Sequence, residues 1–185
     1  MTPINTAKRY SEQVVKEMQK AFGFSNALAV PKITKVIVNI GVGSIRDEKQ
    51  LAEIQRVLSL ITGQKPVPRK AKRAIASFKT RIGMIIGYSV TLRGKRMHDF
   101  LDRLIYIALP RTRDFRGIPL RSIDEGGSLT IGIKEHIVFP ELIGEDIKFI
   151  FGFEVTITTN AGDRTRAAAL FRALGLPMQE ERASK

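Results

Sequence analysis

The stretch that decides the fold is Thr34-Lys35-Val36-Ile37-Val38-Asn39-Ile40-Gly41-Val42. Val36, Val38, Ile40 and Val42 fall on one side of an extended chain and Lys35, Ile37, Asn39 and Gly41 on the other, because successive side chains of a strand point to opposite faces. Three further segments repeat the alternation. In Ile86–Arg93, the residues Ile86, Tyr88, Val90 and Leu92 oppose Gly87, Ser89, Thr91 and Arg93. In Leu129–Lys134, Leu129, Ile131 and Ile133 oppose Thr130, Gly132 and Lys134; in Phe151–Thr158, Phe151, Phe153, Val155 and Ile157 oppose Gly152, Glu154, Thr156 and Thr158. One apolar face and one face of small polar groups is the pattern of a mostly antiparallel sheet covered by helices on one side only.

Between and around these strands the apolar period changes to that of a helix. Residues 6–22 carry Val14, Val15, Met18 and Phe22 on one face, with Gly23 as a stop. Residues 47–62 carry Leu51, Ile54, Leu58 and Ile61 and end at Gly63; residues 95–109 carry Met97, Phe100, Leu101, Leu104, Ile105 and Ala108, with Pro110 expected to halt them. A fourth helix is expected from Asp163, burying Ala167, Leu170, Phe171 and Leu174 before Gly175. The fold class is therefore α+β, a single domain over residues 1–185, with the N-terminal helix inside 1–25 and a flexible tail expected at 178–185. At 185 residues and 43% hydrophobic composition the chain can bury a substantial core. No apolar run approaches the roughly 18 residues of a membrane span, so no membrane partner is expected. The chain has no Cys, which excludes disulfide scaffolds and thiol catalysis.

Charge narrows the partner. Lys and Arg number 31 against 18 Asp and Glu, a formal net charge of +13. Eleven cations lie between Gln55 and His98, which holds no carboxylate: Arg56, Lys65, Arg69, Lys70, Lys72, Arg73, Lys79, Arg81, Arg93, Lys95 and Arg96. A one-signed stretch of this length repels itself unless something anionic offsets it, and a polyanion is the expected partner. Between Ser122 and Glu154 the sign reverses, with seven carboxylates against Lys134 and Lys148. That reversal points to a second partner, a basic one. The open sheet face sends Tyr88 and the phenylalanines to the buried side and keeps Ser, Thr, Asn, Gly and a few cations. It suits hydrogen bonds to phosphates and ribose hydroxyls rather than base stacking, and so a structured RNA read by shape.

An enzyme reading finds little support. Gly41-Val42-Gly43 follows a strand, but the dinucleotide fingerprint needs a third Gly where the chain has Arg46. Glu135 and His136 are adjacent, yet no second His or Cys stands at ligand spacing, and Asp99 is placed to pair with Arg96 or Arg103. No carboxylate cluster for magnesium lies in the basic stretch. No catalytic residue, metal, cofactor or small-molecule substrate is expected.

Several linked segments carry a resemblance. These are Val30-Pro31-Lys32-Ile33 leading into Val36–Gly43, Ile61-Thr62-Gly63-Gln64-Lys65-Pro66 followed by Lys70-Ala71-Lys72-Arg73, and Phe78-Lys79-Thr80-Arg81-Ile82-Gly83-Met84 leading to Val90–Gly94. Then come Leu109-Pro110-Arg111 through Arg113–Gly117, and Gly132–Glu141. In order and spacing they resemble the bacterial-type family of the fifth large-subunit ribosomal protein, over roughly Tyr10 to Pro177.

The resemblance implies a non-enzymatic, cytoplasmic role in the large ribosomal subunit. Its partners would be 5S rRNA anchored in the central protuberance, large-subunit rRNA, other 5S-binding proteins, peptidyl-site tRNA and the thirteenth small-subunit protein. The open face, with Lys35, Asn39, Gly41, Ser89, Thr91 and Arg93, and the neighbouring Gln64 and Lys65, is the expected 5S surface. The family's tRNA loop falls on Ser77, Phe78, Lys79, Arg81 and Gly83, with Gly83 expected to turn its tip. The intersubunit contact falls on Arg111, Arg113, Arg116, Glu141, Glu145 and Asp146. The chain departs from the family twice. Gly83-Met84-Ile85-Ile86-Gly87 lacks a proline at Ile85, which frees the backbone there. Ile123–Leu129 lacks the family's cation and aromatic and gains Glu125.

Overall fold

The structure is a computed structural model describing residues 5–179. Its centre is a five-stranded, wholly antiparallel sheet: β1 Ile33–Gly41, β2 Val67–Lys70, β3 Ile85–Leu92, β4 Leu129–Ile133 and β5 Phe153–Thr159, in the order β2-β3-β1-β5-β4. The register makes the alternation of β1 a property of the whole sheet. Val38 pairs with Val90 on one side and Val155 on the other, and Val155 pairs with Ile131. All four are buried.

Four helices close over that row. α1 runs through Thr6–Arg9, a widened turn Tyr10–Val14, and Val15–Phe22. α2 is Glu48–Thr62, capped by the Asp47 carboxylate on the Lys49 amide. α3 covers Gly94–Arg103, a second widened turn Leu104–Ala108, and Leu109–Arg111. α4 is Arg164–Leu174, capped by Asp163 on the amides of Thr165 and Arg166. The two capping carboxylates take up amides that have no partner inside the helix. α3 continues past Pro110 rather than stopping there. In its widened turn the Leu109 amide reaches back to the Leu104 carbonyl, five residues away, and such a turn is where a helix accommodates an irregularity in its ladder. α1 is tied to α3 through Asp102, whose carboxylate accepts from the Thr6 amide at 2.8 Å and from the Thr6 hydroxyl. Burial raises the Asp102 pKa, and the Thr6 amide opposes that rise.

Two further features differ from the sequence expectation. β2 carries no apolar alternation, holds Pro68 and is exposed throughout, so its four residues gave no strand signal; it forms because it is an edge strand needing only one partner. In the arm of residues 71–84, which joins β2 to β3, Gly83 does not turn the tip. Its φ of 84° bends the base, where its amide donates to the Ala71 carbonyl at 3.0 Å. The tip is the short turn Ala76–Phe78, closed by Lys79 at a φ of 50°. At the C-terminal end, Met178 bridges to Ile118 and the Gln179 amide donates to the Ile118 carbonyl. The remainder of the expected tail, 180–185, and residues 1–4 of the expected N-terminal segment lie outside the described residues.

In the core, Phe139 stacks on Phe100 of α3 at 5.8 Å and leans on Phe153 of β5 at 5.7 Å, all fully or nearly buried. Phe139→Ala removes the ring that joins helix layer to sheet. A loss of about 3–5 kcal/mol is expected, measured as the shift in urea-unfolding free energy.

Candidate nucleic-acid interface

The face of the sheet away from the helices presents its residues in rows fixed by the pairing. One row is Lys35 and Thr158, with Arg93 in extended backbone just past the end of β3; the next is Thr91, Ile37, Thr156 and Thr130. A third runs Val67, Ser89, Asn39, Glu154 and Gly132, and a fourth Arg69, Gly87 and Gly41. Six of the eight residues expected for the 5S surface, Lys35, Asn39, Gly41, Ser89, Thr91 and Arg93, therefore share one face. Gln64 and Lys65 lie beside its edge in the turn before β2, where the Gln64 side-chain amide reaches the Thr91 carbonyl at 3.4 Å.

Within that set the residues are not equivalent. Asn39, Gly41, Arg93 and Lys65 are exposed; Lys35, Thr91 and Gln64 are half-buried. Ser89 is only 5% exposed. The Arg69 guanidinium crosses from β2 and donates from Nε to the Ser89 hydroxyl at 2.6 Å. Ser89 thus holds Arg69 in place and is covered by it. Arg69 is the residue of this surface that sequence reasoning missed, because its position depends on β2. Glu154 is the one carboxylate among the described residues of these rows, and it stands opposite Asn39.

The glycines of the face fall into two kinds. A Cβ on Gly87 would sit 2.8 Å from the Ile40 carbonyl oxygen, so the sheet itself requires glycine there. Gly41 and Gly132 have ordinary backbone angles, and a Cβ on either would meet nothing within 4 Å. The fold makes no demand for glycine at those two positions.

The arm of residues 71–84 carries Ser77, Phe78, Lys79, Arg81 and Gly83 away from the sheet edge. Ser77, Phe78, Lys79 and Arg81 are exposed, Phe78 by 71%. Arg46, from the turn after β1, donates to the Lys79 carbonyl at 3.0 Å and braces the arm. Of the eleven cations between Gln55 and His98, only Arg56 is ion-paired among the described residues.

The residues expected at the intersubunit contact separate into two places. Arg111, Arg113 and Arg116 follow one another at the end of α3 and on the loop after it, and that loop borders a groove of about 560 Å³ reaching the open-face positions Thr130 and Gly132 of β4. Glu141 and Glu145 fold back on the helices instead. Glu145 pairs with Arg56 at 2.7 Å, and Glu141 pairs with Arg103, which also donates to the Ile61 carbonyl at 2.9 Å. Arg103 therefore faces Glu141 rather than Asp99. The Arg56 guanidinium also holds Glu53 below the usual carboxylate range. Among the described residues no hydrogen bond or ion pair joins the arginine loop to the acidic segment. Part of the acidity of that segment is neutralised within the chain; Asp146 remains exposed.

Glu135 and His136 form no reactive pair. His136 is fully buried, its ring stacked on Phe151 at 4.0 Å, and its Nδ1 accepts from the Phe151 amide at 3.2 Å. Among the described residues no group of three or more His, Cys, Asp or Glu could hold a metal ion, and no helix is long and apolar enough to cross a membrane.

Comparison with known proteins decides the family. Residues 26–81 match the family model for ribosomal protein L5, and residues 85–178 match the model for the C-terminus of the same ribosomal family. The chain belongs to the L5 family of ribosomal proteins. The large ribosomal subunit protein uL5 of Mycoplasma pneumoniae is 52% identical over 175 residues, 94% of this chain and 97% of the relative. That of Ureaplasma urealyticum is 48% identical over 177 residues (95% and 96%), and that of Halothermothrix orenii 42% over 175 (94% and 98%). L5 proteins are structural and not enzymatic, and the bacterial members are cytoplasmic constituents of the large subunit. The two matches together take in the sheet, the acidic segment and the arm as far as Arg81.

Burial lowers the His136 pKa below its usual 6.5. Above that pH both folded and unfolded chains are neutral at this ring. As pH falls through 6.5 the unfolded chain takes up the proton first, so stability is lost toward acid until the folded pKa is passed. His136→Phe keeps a ring on Phe151 and removes the titration. The expected outcome is a smaller drop in urea midpoint between about pH 7.5 and 5.5 than in the unsubstituted protein.

Proposed function

We propose that this chain is a structural constituent of the large ribosomal subunit that binds 5S rRNA through the open face of its sheet and anchors it in the central protuberance, beside large-subunit rRNA and other 5S-binding proteins. The observation that carries the reading is the helix-free face itself. It offers rows of Thr, Asn, Gly, Lys and Arg, with no aromatic ring among them. Hydrogen-bonding groups and cations on a twisted surface suit the phosphates and 2′-hydroxyls of a folded RNA. Gly41 and Gly132 support the same reading: glycine there serves no need of the fold, and it admits a backbone or ribose close to the sheet. Arg69, held by Ser89, adds a positioned guanidinium at the edge.

In this reading the arm reaches peptidyl-site tRNA, with Lys79 and Arg81 on phosphates. The loop of Arg111, Arg113 and Arg116 and the segment of Glu141, Glu145 and Asp146 meet the thirteenth small-subunit protein as two separate patches. Its acidic patch engages a basic partner by exchanging the Arg56–Glu145 pair for an intermolecular one.

Binding to 5S rRNA is expected to weaken linearly in log–log salt titration, with a slope of about −0.7 to −0.9 per neutralised phosphate, and to resist competition by unrelated RNA hairpins. Equal competition by such hairpins would refute the 5S assignment. Gly41→Ala is expected to leave the unfolding free energy unchanged or slightly raised, since alanine costs less backbone entropy in a strand, while weakening 5S binding. Asn39→Ala is expected to cost roughly 1–3 kcal/mol of binding with the fold intact. Replacing Lys79 and Arg81 with Ala should spare 5S affinity and weaken tRNA binding by reconstituted ribosomes.

A further inference from the structure

Behind the arm, on the helix side of the sheet edge, lies a cleft of about 700 Å³ between the start of α2 and the base of the arm. It is separate from the open face. Ile45 and Leu51 line it on one side and Met84 and Ile85 on the other, with Tyr88, only 3% exposed, at its base. Ile45, Leu51 and Ile85 rest against the core, so the floor is set by the fold. Arg46 spans the cleft, donating to the Met84 sulfur at 2.8 Å and to the Lys79 carbonyl, and Lys79 and Arg81 stand at its lining. None of these three cations is ion-paired among the described residues. Gln55, half-buried, and Glu48 supply the polar groups of the α2 side.

We propose that this cleft receives one unstacked purine nucleotide of a bound RNA. A volume of this size with apolar walls and a few polar groups is that of a small-molecule site. The cationic rim selects an anion, and the apolar lining of Ile45, Leu51 and Ile85 takes a flat heterocycle. Single-stranded RNA presents such a base with its phosphate attached, and proteins read splayed bases by stacking and edge hydrogen bonds. The Gln55 amide offers a donor and an acceptor together, the pair that matches the N6 and N7 positions of adenine, and Glu48 is an acceptor for an exocyclic amine. A free nucleotide has the same chemistry; the RNA source is favoured because the rim continues along the arm through Lys72 and Arg73, both exposed and unpaired among the described residues.

The inference does not rest on the sheet-face reading, and its test needs no 5S rRNA. With methionine methyl groups labelled in the full chain, the Met84 resonance is followed by NMR during titration with adenosine monophosphate, cytidine monophosphate, inorganic phosphate and a tri-adenylate RNA. The expected result is a Met84 shift with adenosine monophosphate, at least fivefold weaker binding of cytidine monophosphate, and at least tenfold tighter binding of tri-adenylate than of the monomer. Ala52→Trp, at an exposed position lining the cleft, should abolish the shift while the other methionine signals stay in place; Gln55→Ala should remove the purine preference. An unmoved Met84 signal, or one moved equally by phosphate alone, would overturn the base site. Equal affinity for the monomer and tri-adenylate would overturn the RNA assignment in favour of a free nucleotide.

Discussion

Val38 is held between Val90 and Val155, and that buried row is what the rest of the molecule depends on. A strand has a period of two, so a slip of one residue in either pairing would send Asn39 and Glu154 into the helix layer and the valines into water. Because the slip is forbidden, each polar residue of β1, β3, β4 and β5 has one possible side. The open face is thus a by-product of burying its opposite. Phe100, Phe139 and Phe153 seal the layer above it, and no element of the described chain needs to cover the face below.

Electrostatics then divides the surface. The basic stretch is distributed by topology into an edge, an arm and the far end of β3, and nearly all of it stays unpaired. The acidic segment behaves differently: Glu141 and Glu145 find Arg103 and Arg56 on α3 and α2. Exposed ion pairs such as Arg56–Glu145 contribute little to stability, with a median of about 0–1 kcal/mol. Such pairs are readily exchanged with solvent and salt. The cations of the arm have no such ion pair among the described residues.

Most of the fold was legible before the structure. The four alternating strands and four helices appear where periodicity placed them, because each element buries one face and its apolar residues must recur at the element's own period. Two signals failed for identifiable reasons. Val67–Lys70 buries nothing, so no apolar pattern could mark it; only the free edge of β3 makes it a strand. Pro110 signals a stop by its missing amide, and the widened turn Leu104–Ala108 that precedes its position inside α3 has no local sequence signature. On the candidate interface, the shared face of Lys35, Asn39, Gly41, Thr91 and Arg93 was legible from alternation. Ser89 was placed on that face but not seen to be covered, since Arg69 lies twenty residues away and reaches it only through β2.

The sequence by itself determined the class of fold, the sidedness of the sheet, the sign of the partner and the family, since these follow from periodicity, net charge and ordered motifs along one dimension. Tertiary structure alone decided which polar groups are free. It set Arg69 over Ser89, paired Glu141 and Glu145 with arginines of the helices, put Gly83 at the base of the arm, and opened a cleft between α2 and that base. Each of these depends on a contact between residues distant in the chain, and the distance between such residues is fixed by packing, not by pattern.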